Sequence, residues 1–336
     1  AKEAQAFLHP EDEPFHDPFL MMDMERSAER IWNAIHSGEQ IVVYGDYDVD
    51  GMTSTTLLMK HIRALGGKVS YYIPNRFTEG YGINSAALAQ LAAEGCDLLV
   101  TVDCGIASVQ TVAETAAGMD IIITDHHLPG VALPPAYAVV NPHRVDCPYP
   151  DKNLAGVGVA FKLVQALWQM ERGRLCTADM DIAALGTIAD LVPLVGENRK
   201  IVRLGLRVMS EHPCQGISAL IHVSGCAGKT IHTGMVGFQF APRLNAAGRI
   251  ETAQRGVELL LAEDVREADR IAGELNALNM ERRNLEQSIL MEAETFLSDV
   301  TPDVSAIVVA GEAWNAGVIG IVASRLVEKY YRPSIV

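Results

Sequence analysis

Aspartates at alternate positions dominate the segment GDYDVDG at residues 45–51, directly after a β-branched apolar run. Asp46, Asp48 and Asp50 place three carboxylates within five residues. The same spacing begins a calcium-binding EF-hand loop, which needs a glutamate at its twelfth position and a helix in front of it. Counted from Asp46, the twelfth residue is Leu57, and the run in front is typical of a strand. The sequence therefore excludes an EF-hand.

Three further acidic positions lie in similar surroundings. Asp103 follows an apolar run in TVDCG, the triplet Asp125, His126 and His127 follows another in TDHH, and Asp190 lies in GTIADLVPL. An aspartate after a strand can simply cap the next helix, which is the structural alternative. However, the carboxyl ends of parallel strands meet at one edge of a sheet, and crowded carboxylates repel each other unless a cation lies between them.

This donor set predicts a metal site. Carboxylate oxygens with one or two imidazoles suit Mn²⁺ or Mg²⁺, and the histidine favours Mn²⁺. Five or six candidate ligands are enough for two divalent ions rather than one. Paired divalent ions are typical of enzymes that hydrolyse phosphoesters or phosphoanhydrides, so we expect this class of reaction.

The elements that must position these residues form an α/β pattern. Short β-branched runs alternate with helical stretches that end in glycine, which predicts a doubly wound, mostly parallel sheet with helices on both faces. The predicted strands are residues 41–45, 68–74, 97–103, 120–125 and 136–140, and the predicted helices between them are residues 51–65, 84–94 and 106–117.

The pattern divides the chain into four parts. Residues 1–38 are an N-terminal lead-in with a helix near 24–36, and residues 39–263 are the phosphoesterase domain. This domain turns helical after Pro150, at about 156–172, 179–190, 197–210 and 252–262. Residues 264–299 carry a narrow apolar stripe, which predicts a long connector helix between two bodies. Residues 300–336 begin a second α/β domain, and we expect the chain to be a fragment of a longer protein, lacking sequence at both ends.

Composition narrows the function. The 336 residues carry a net charge of −15, which argues against broad duplex binding and against attraction to an anionic membrane. The sequence contains no apolar run long enough to span a bilayer, no dinucleotide-binding glycine motif and no P-loop. Its first residues are polar and acidic, so we do not expect them to be a signal peptide. Six cysteines without a CxxC spacing are typical of reduced thiols, which indicates a cytoplasmic protein.

The motifs together resemble a known family. DYDVDG (46–51), VDCG (102–105) and DHH (125–127) are similar to the DHH phosphoesterase superfamily. The finer pattern resembles the RecJ family, in these segments: PNRFTEGYGI (74–83), AGVGVAFKL (155–163), LGTIADLVPL (185–194), PRLNAAGRI (242–250) and GVIGIVASRL (317–326). The resemblance implies a 5′→3′ exonuclease that degrades single-stranded DNA to 5′-mononucleotides in DNA repair and recombination. Two alternatives are a nanoRNase or cyclic-dinucleotide phosphodiesterase of the same superfamily, and a non-catalytic nucleic-acid-binding scaffold.

The resemblance also implies roles for individual residues. The two ions, Mn²⁺ by preference or Mg²⁺, would be held by Asp48, Asp50, Asp103, His126 and Asp190, with Asp46 beside them and Asp103 bridging both. His127 would face the scissile phosphate, or alternatively orient a ligand. The nucleic acid and its 5′-phosphate would be bound by Arg76, Asn245, Arg249, Ser324 and Arg325. Asn141 and His143 would line the cleft. Asn315 stands where the family usually has histidine, which is a departure from the family pattern. The implied partners are single-stranded DNA, a single-strand-binding protein and a helicase, with no membrane.

Overall fold

The computed structural model describes residues 2–115, 118–297 and 304–336. Its strands are β1 (Gln40–Gly45), β2 (Lys68–Tyr72), β3 (Leu98–Val102), β4 (Asp120–Thr124), β5 (Ala138–Val140), β6 (Ile307–Val308) and β7 (Ser334–Ile335). Its helices are α1 (Lys2–Leu8), α2 (Met24–Ser37), α3 (Val49–Ala64), α4 (Ser85–Ala93), α5 (Val109–Thr115), α6 (Gly156–Arg172), α7 (Met180–Ala189), α8 (Gly196–Glu211), α9 (Gln215–Val223), α10 (Thr233–Met235), α11 (Ala241–Ile250), α12 (Gln254–Leu261), α13 (Val265–Thr295) and α14 (Ile319–Tyr330).

Five strands form one parallel sheet in the order β2-β1-β3-β4-β5. The chain runs outward from β1 to β2 and then returns to the other side of β1 to form β3. This reversal is the switch point at which open α/β sheets place their sites. Gly45 pairs with Val102, and Val102 pairs with Thr124, so the residues that follow these strands emerge side by side.

Each face of the sheet has its own apolar core. On one face, Ile41 and Val43 pack with α2, α3, α6 and the helical region, whereas Val42 and Tyr44 lie on the other face with α4. The doubly wound fold is therefore confirmed. The strands β1, β3, β4 and β5 are almost entirely buried, whereas β2, at one edge of the sheet, is partly exposed.

The helical region agrees with the predicted helices except that three were missed: α9, the three-residue α10, and α11. Gly216 lies inside α9, and α11 contains both Pro242 and Gly248, which argue against a helix when only the sequence is considered. Pro242 lies in the first turn of α11, where the missing N–H is not needed.

The 31-residue helix α13 contributes to two cores. Ile271 and Leu275 in its first half pack in the core beneath the sheet, while Ile289 and Ala293 pack against β6 and α14. The lead-in also joins the main core, because Met24 and Ile31 are fully buried in it. The division into four parts stays a prediction, and its boundary between residues 299 and 300 lies outside the described residues. None of the described helices combines the length and apolar character needed to cross a bilayer.

Candidate metal centre

The sheet edge brings three acidic residues together. Asp46 follows β1, Asp103 follows β3 and Asp125 follows β4, and all three side chains are buried. Asp103 has a left-handed backbone with φ of 59°, which is unfavourable for a residue other than glycine and indicates a constrained position. The start of α6 lies directly against it, so close that a Cβ at Gly156 would be 2.5 Å from Asp103 Oδ1. Only glycine fits at this position.

The start of α3 supplies two more carboxylates. Asp48 caps the helix, since its side chain accepts a hydrogen bond from Gly51 N at 3.1 Å. Asp50 lies in the first turn and accepts from Gly156 N and Val157 N, both at 2.7 Å. These two amides are the first of α6, where backbone N–H groups have no partner within the helix and attract an anion. The N-terminus of α6 therefore fixes the orientation of Asp50.

His126 lies at the centre of the cluster. Its Nε2 is 3.1 Å from Asp103 Oδ1, 3.7 Å from Asp190 Oδ2 and 3.8 Å from Asp50 Oδ2. Asp190 arrives from the C-terminal end of α7. Three groups of side chains among the described residues are close enough to share an ion: Asp46, Asp48 and Asp103; Asp50, His126 and Asp190; and Asp103, His126 and His127. Asp103 is therefore adjacent to both halves of the cluster.

The donor atoms of this cluster fit divalent cations. Asp46 Oδ1, Asp103 Oδ1 and His126 Nε2 are buried and have no hydrogen-bond partner among the described residues. Burial, reinforced by repulsion from neighbouring carboxylates, raises the pKa of Asp46, Asp50 and Asp190 to about 7. Burial lowers the pKa of His126, which favours the neutral imidazole that binds metals. A cation between these groups would stabilise the ionised carboxylates and bind the neutral imidazole.

His127 differs from His126 because its ring is half-exposed and oriented by Asp125. His127 Nδ1 donates to Asp125 Oδ1 at 2.7 Å, and this hydrogen bond raises the pKa of His127. Asp125 also accepts from the backbone of His126, His127 and Ile106. Although burial opposes ionisation, these contacts lower the pKa of Asp125. Asp125 therefore favours the protonated form of His127, and it leaves the other ring nitrogen, Nε2, facing the neighbourhood of the carboxylate cluster.

A cleft of about 250 Å³ adjoins the cluster on the side of Asp46 and Asp48. It is lined by Asp46, Tyr47, Asp48, Arg76, Tyr81, Asn245, Gly248 and Arg249. The Arg76 guanidinium lies over the Tyr47 ring, 5.1 Å from its centroid. Burial and the nearby charges of Arg76 and Arg282 lower the pKa of Arg249, which indicates a site of concentrated positive charge. The cleft therefore joins cationic side chains to the carboxylates.

Other predicted residues are elsewhere or have structural contacts. Arg325 is exposed and pairs with Glu286 and Glu328, and Ser324 Oγ donates to the carbonyl of Gly320, so neither lines the cleft. Asn245 lines the cleft, but its Oδ1 also accepts from Val49 N at 3.1 Å and so ties α11 to the start of α3. The assignments of these residues to nucleic acid stay predictions.

Asn141 is fully buried and is not among the residues that line the 250 Å³ cleft. Its Nδ2 donates to the carbonyl of His127 at 2.9 Å, and its Oδ1 accepts from His143 N at 2.7 Å. Asn141 thus supports the loop that carries the histidine pair, and the expectation that it lines the cleft stays a prediction. His143 is partly exposed beside the cluster, where burial and the charge of His126 lower its pKa.

Sequence reasoning missed two aromatic residues of the cleft. The Tyr81 and Tyr47 rings meet edge to face at 6.3 Å, and Tyr81 Oη is 3.4 Å from His127 Nε2. Tyr47 lies inside the aspartate motif and Tyr81 between two glycines of EGYG. Aromatic residues next to an arginine in such loops are a usable signal for nucleic-acid contact, because bases stack on rings.

Comparison with known proteins agrees with this geometry. Residues 40–188 match the DHH family, N-terminal domain. The whole chain is 48% identical over 337 residues to "Single-stranded-DNA-specific exonuclease RecJ" of Bacillus subtilis, of which it spans 42%. It thus covers less than half of that relative's length.

Two solved structures are also similar. One is a crystal structure of exonuclease RecJ bound to manganese, with a TM-score of 0.84 at 38% identity, covering 96% of this chain and 81% of that one. The other is RecJ from Thermus thermophilus in complex with Mg²⁺, with a TM-score of 0.76 at 33% identity, covering 97% of this chain and 44% of that one. On these matches, the chain belongs to the RecJ family of DHH proteins.

Proposed function

We propose that this chain hydrolyses single-stranded DNA from its 5′ end and releases 5′-mononucleotides, using two divalent ions, Mn²⁺ by preference or Mg²⁺. The observation that carries the proposal is the continuity of the cleft. Carboxylates suited to metals and two arginines suited to phosphate, Arg76 and Arg249, line the same 250 Å³ space. The similarity to proteins named as single-stranded-DNA-specific exonucleases supports the choice of substrate.

The carboxylates and His126 have the task of holding the ions. One ion would lie among Asp46, Asp48 and Asp103, and the other among Asp50, His126 and Asp190, with Asp103 adjacent to both. When bound, the ions would supply Lewis-acid stabilisation of the phosphate and a more acidic water. Because α6 fixes Asp50 and the strand ends fix Asp46 and Asp103, little rearrangement is needed for binding.

His127 and the arginines act on the substrate. His127 is held by Asp125 with Nε2 directed toward Tyr81, so a proton on Nε2 can be donated to a phosphate oxygen. Arginine pairs two phosphate oxygens at once, which suits Arg76 and Arg249 to the terminal 5′-phosphate. A cleft of this volume favours one strand end over a duplex.

A digestion assay tests the proposal. We expect a 5′-phosphorylated single-stranded 30-mer to yield mononucleotides with Mn²⁺, and a blunt duplex of the same sequence to persist. Equal digestion of both substrates would contradict strand selectivity. Hydrolysis of dinucleotides without degradation of the 30-mer would indicate the small-substrate phosphodiesterase. Metal-independent binding without hydrolysis would indicate a scaffold. The chain spans only part of the length of its relatives, so their activity does not establish its own. The assay therefore uses this chain.

The biological setting is also part of the proposal. The six cysteines are free thiols, which supports a reducing compartment such as the cytoplasm. A role in DNA repair and recombination rests on the family. A single-strand-binding protein and a helicase are expected partners on the resemblance alone.

A further inference from the structure

The loop between β2 and α4 carries two cleft residues, Arg76 and Tyr81, without regular secondary structure of its own. Their direct contacts are weak. Arg76 has no acidic partner among the described residues and contacts Tyr47 only through its ring face. The hydroxyl of Tyr81 is 3.4 Å from His127 Nε2, which is long for a hydrogen bond. Something other than these contacts must therefore fix the loop.

Glu79 lies between these two residues in sequence and makes the strong contacts of the loop. Its Oε2 accepts from Asn75 N at 2.6 Å, and its Oε1 accepts from Tyr72 Oη at 2.5 Å and from Asn84 Nδ2 at 3.1 Å. These donors lie at the end of β2, at the start of the loop and at the cap of α4. One carboxylate thus joins both ends of the loop.

The surrounding structure reinforces this arrangement. Asn84 Oδ1 accepts from Ala87 N at 2.7 Å and caps α4, so its amide group is already oriented toward Glu79. Tyr44 is buried beneath the sheet edge and donates to the carbonyl of Gly82 at 3.0 Å. Although partial burial of Glu79 opposes ionisation, its three hydrogen bonds lower its pKa. The carboxylate is charged at neutral pH, which strengthens each bond.

We propose that Glu79 is the positioning residue of this loop. Its carboxylate holds Arg76 and Tyr81 at the cleft and thereby determines how well the 5′-phosphate of a strand is captured. Glu79 does not touch the substrate. The part of this inference that concerns substrate capture rests on the proposed function. The other part, that the Glu79 carboxylate holds the conformation of the loop, does not depend on any activity.

The test uses graded variants. Glu79→Ala removes all three contacts, whereas Tyr72→Phe removes one hydroxyl and keeps the ring that stacks on Tyr44 with centroids 5.3 Å apart. Glu114→Gln is the matched control, because Glu114 is an exposed glutamate that contacts Gln110 on the same helix. Trypsin cleavage after Arg76, detected by mass spectrometry, reports on loop opening without any need for catalysis. Calorimetry measures Mn²⁺ binding by each variant. Steady-state kinetics give kcat and KM on 5′-phosphorylated and on 5′-hydroxyl oligonucleotides.

For Glu79→Ala we expect faster cleavage after Arg76 and unchanged Mn²⁺ affinity. We also expect KM for the 5′-phosphorylated strand to rise roughly tenfold with kcat within about twofold, since small misplacements of binding groups are costly. The 5′-hydroxyl strand should be affected less. Tyr72→Phe should show the same pattern more weakly, and Glu114→Gln should match the parent protein.

Three results separate the possibilities. Unchanged trypsin cleavage and unchanged KM in a folded Glu79→Ala variant would overturn the inference. If that variant fails to fold, Tyr72→Phe decides by the same two measurements. If the parent protein shows no hydrolysis, the proposed function fails, and the cleavage rate after Arg76 still tests whether Glu79 holds the loop.

Discussion

Arg249 on α11 and Gly317 just before α14 are in contact twice, through the Arg249 side chain and through the Arg249 backbone. Arg249 Nη1 donates to the carbonyl of Gly317 at 2.9 Å, and a Cβ on Gly317 would clash with the carbonyl oxygen of Arg249. Asn315 fixes this turn, because its Oδ1 accepts from Gly317 N at 2.8 Å. The turn before α14 therefore packs against the backbone of Arg249, which lines the cleft, and Asn315 has a structural task in that turn.

Gly317→Ala should push the turn before α14 away from the backbone of Arg249. The added methyl has no room, so we expect unfolding stability to fall by about 1–3 kcal/mol, as is common for overpacking. KM for a 5′-phosphorylated strand should rise because Arg249 loses its support. Gly320→Ala is the control, since a Cβ there meets open space on α14. Thermal unfolding and steady-state kinetics measure both effects. A Gly317→Ala protein as stable as Gly320→Ala would contradict this contact.

Arg249→Ala should weaken end recognition without disturbing the metal centre. A charge-assisted contact to a terminal phosphate contributes roughly 1.5–3 kcal/mol, or one to two decades in affinity. We expect kcat/KM to fall by about this factor on 5′-phosphorylated oligonucleotides and by less on 5′-hydroxyl ones. Mn²⁺ binding should be unchanged. Arg270→Ala on the exposed face of α13 is the control. The same loss on both oligonucleotides would identify Arg249 as a general backbone contact.

Asp103→Ala should abolish hydrolysis, because its side chain lies against both halves of the ligand cluster. Its loss removes a ligand and the geometry that holds the phosphate. Calorimetry should show fewer or much weaker Mn²⁺ sites. Asp97→Ala is the control, since Asp97 is an exposed carboxylate just before β3, at the opposite end of that strand. Near-normal turnover by Asp103→Ala at saturating Mn²⁺ would refute the assignment.

Asp125→Asn should lower the pKa of His127, because the carboxylate beside Nδ1 loses its negative charge. Removing the negative charge that raises the pKa of His127 should lower that pKa toward the ordinary histidine value, which an NMR titration of the ring protons measures. Loss of such supporting partners typically costs ten- to hundredfold in activity. Mn²⁺ affinity should change less than the rate. An unchanged His127 titration would show that Asp125 only supports the backbone of the loop.

Much of the sheet and of its acidic edge could be predicted from the sequence, because both depend on local signals. Buried strands have apolar runs, and a residue after each strand must lie at the same edge, so Asp46, Asp103 and Asp125 could be grouped from the sequence alone. The strand-end argument does not extend to Asp190, because nothing local places the end of α7 beside the sheet.

The cleft could not be predicted in the same way, because distant segments form it. The loop with Tyr81, the aspartate motif with Tyr47 and the helix with Arg249 meet only after tertiary packing. The internal glycine and proline of α11 also contradict its helical state locally. The role of Glu79 depends on donors from three elements, which no spacing reveals.

Protonation of the buried carboxylates should couple the stability of the protein to pH and to metal binding. The folded protein raises the pKa of Asp46, Asp50 and Asp190 from 3.8 to about 7, so it binds more protons than the unfolded chain between these values. Without metal, this cluster should therefore lose stability as pH rises from about 4 to 7 and level off above, by linkage. Mn²⁺ must displace these protons, so its stabilisation should grow over the same range. Thermal unfolding with EDTA and with Mn²⁺ from about pH 5.5 to 8.5 measures the difference. Asp190→Asn should show a smaller pH dependence, and a Mn²⁺ effect independent of pH would contradict the coupling.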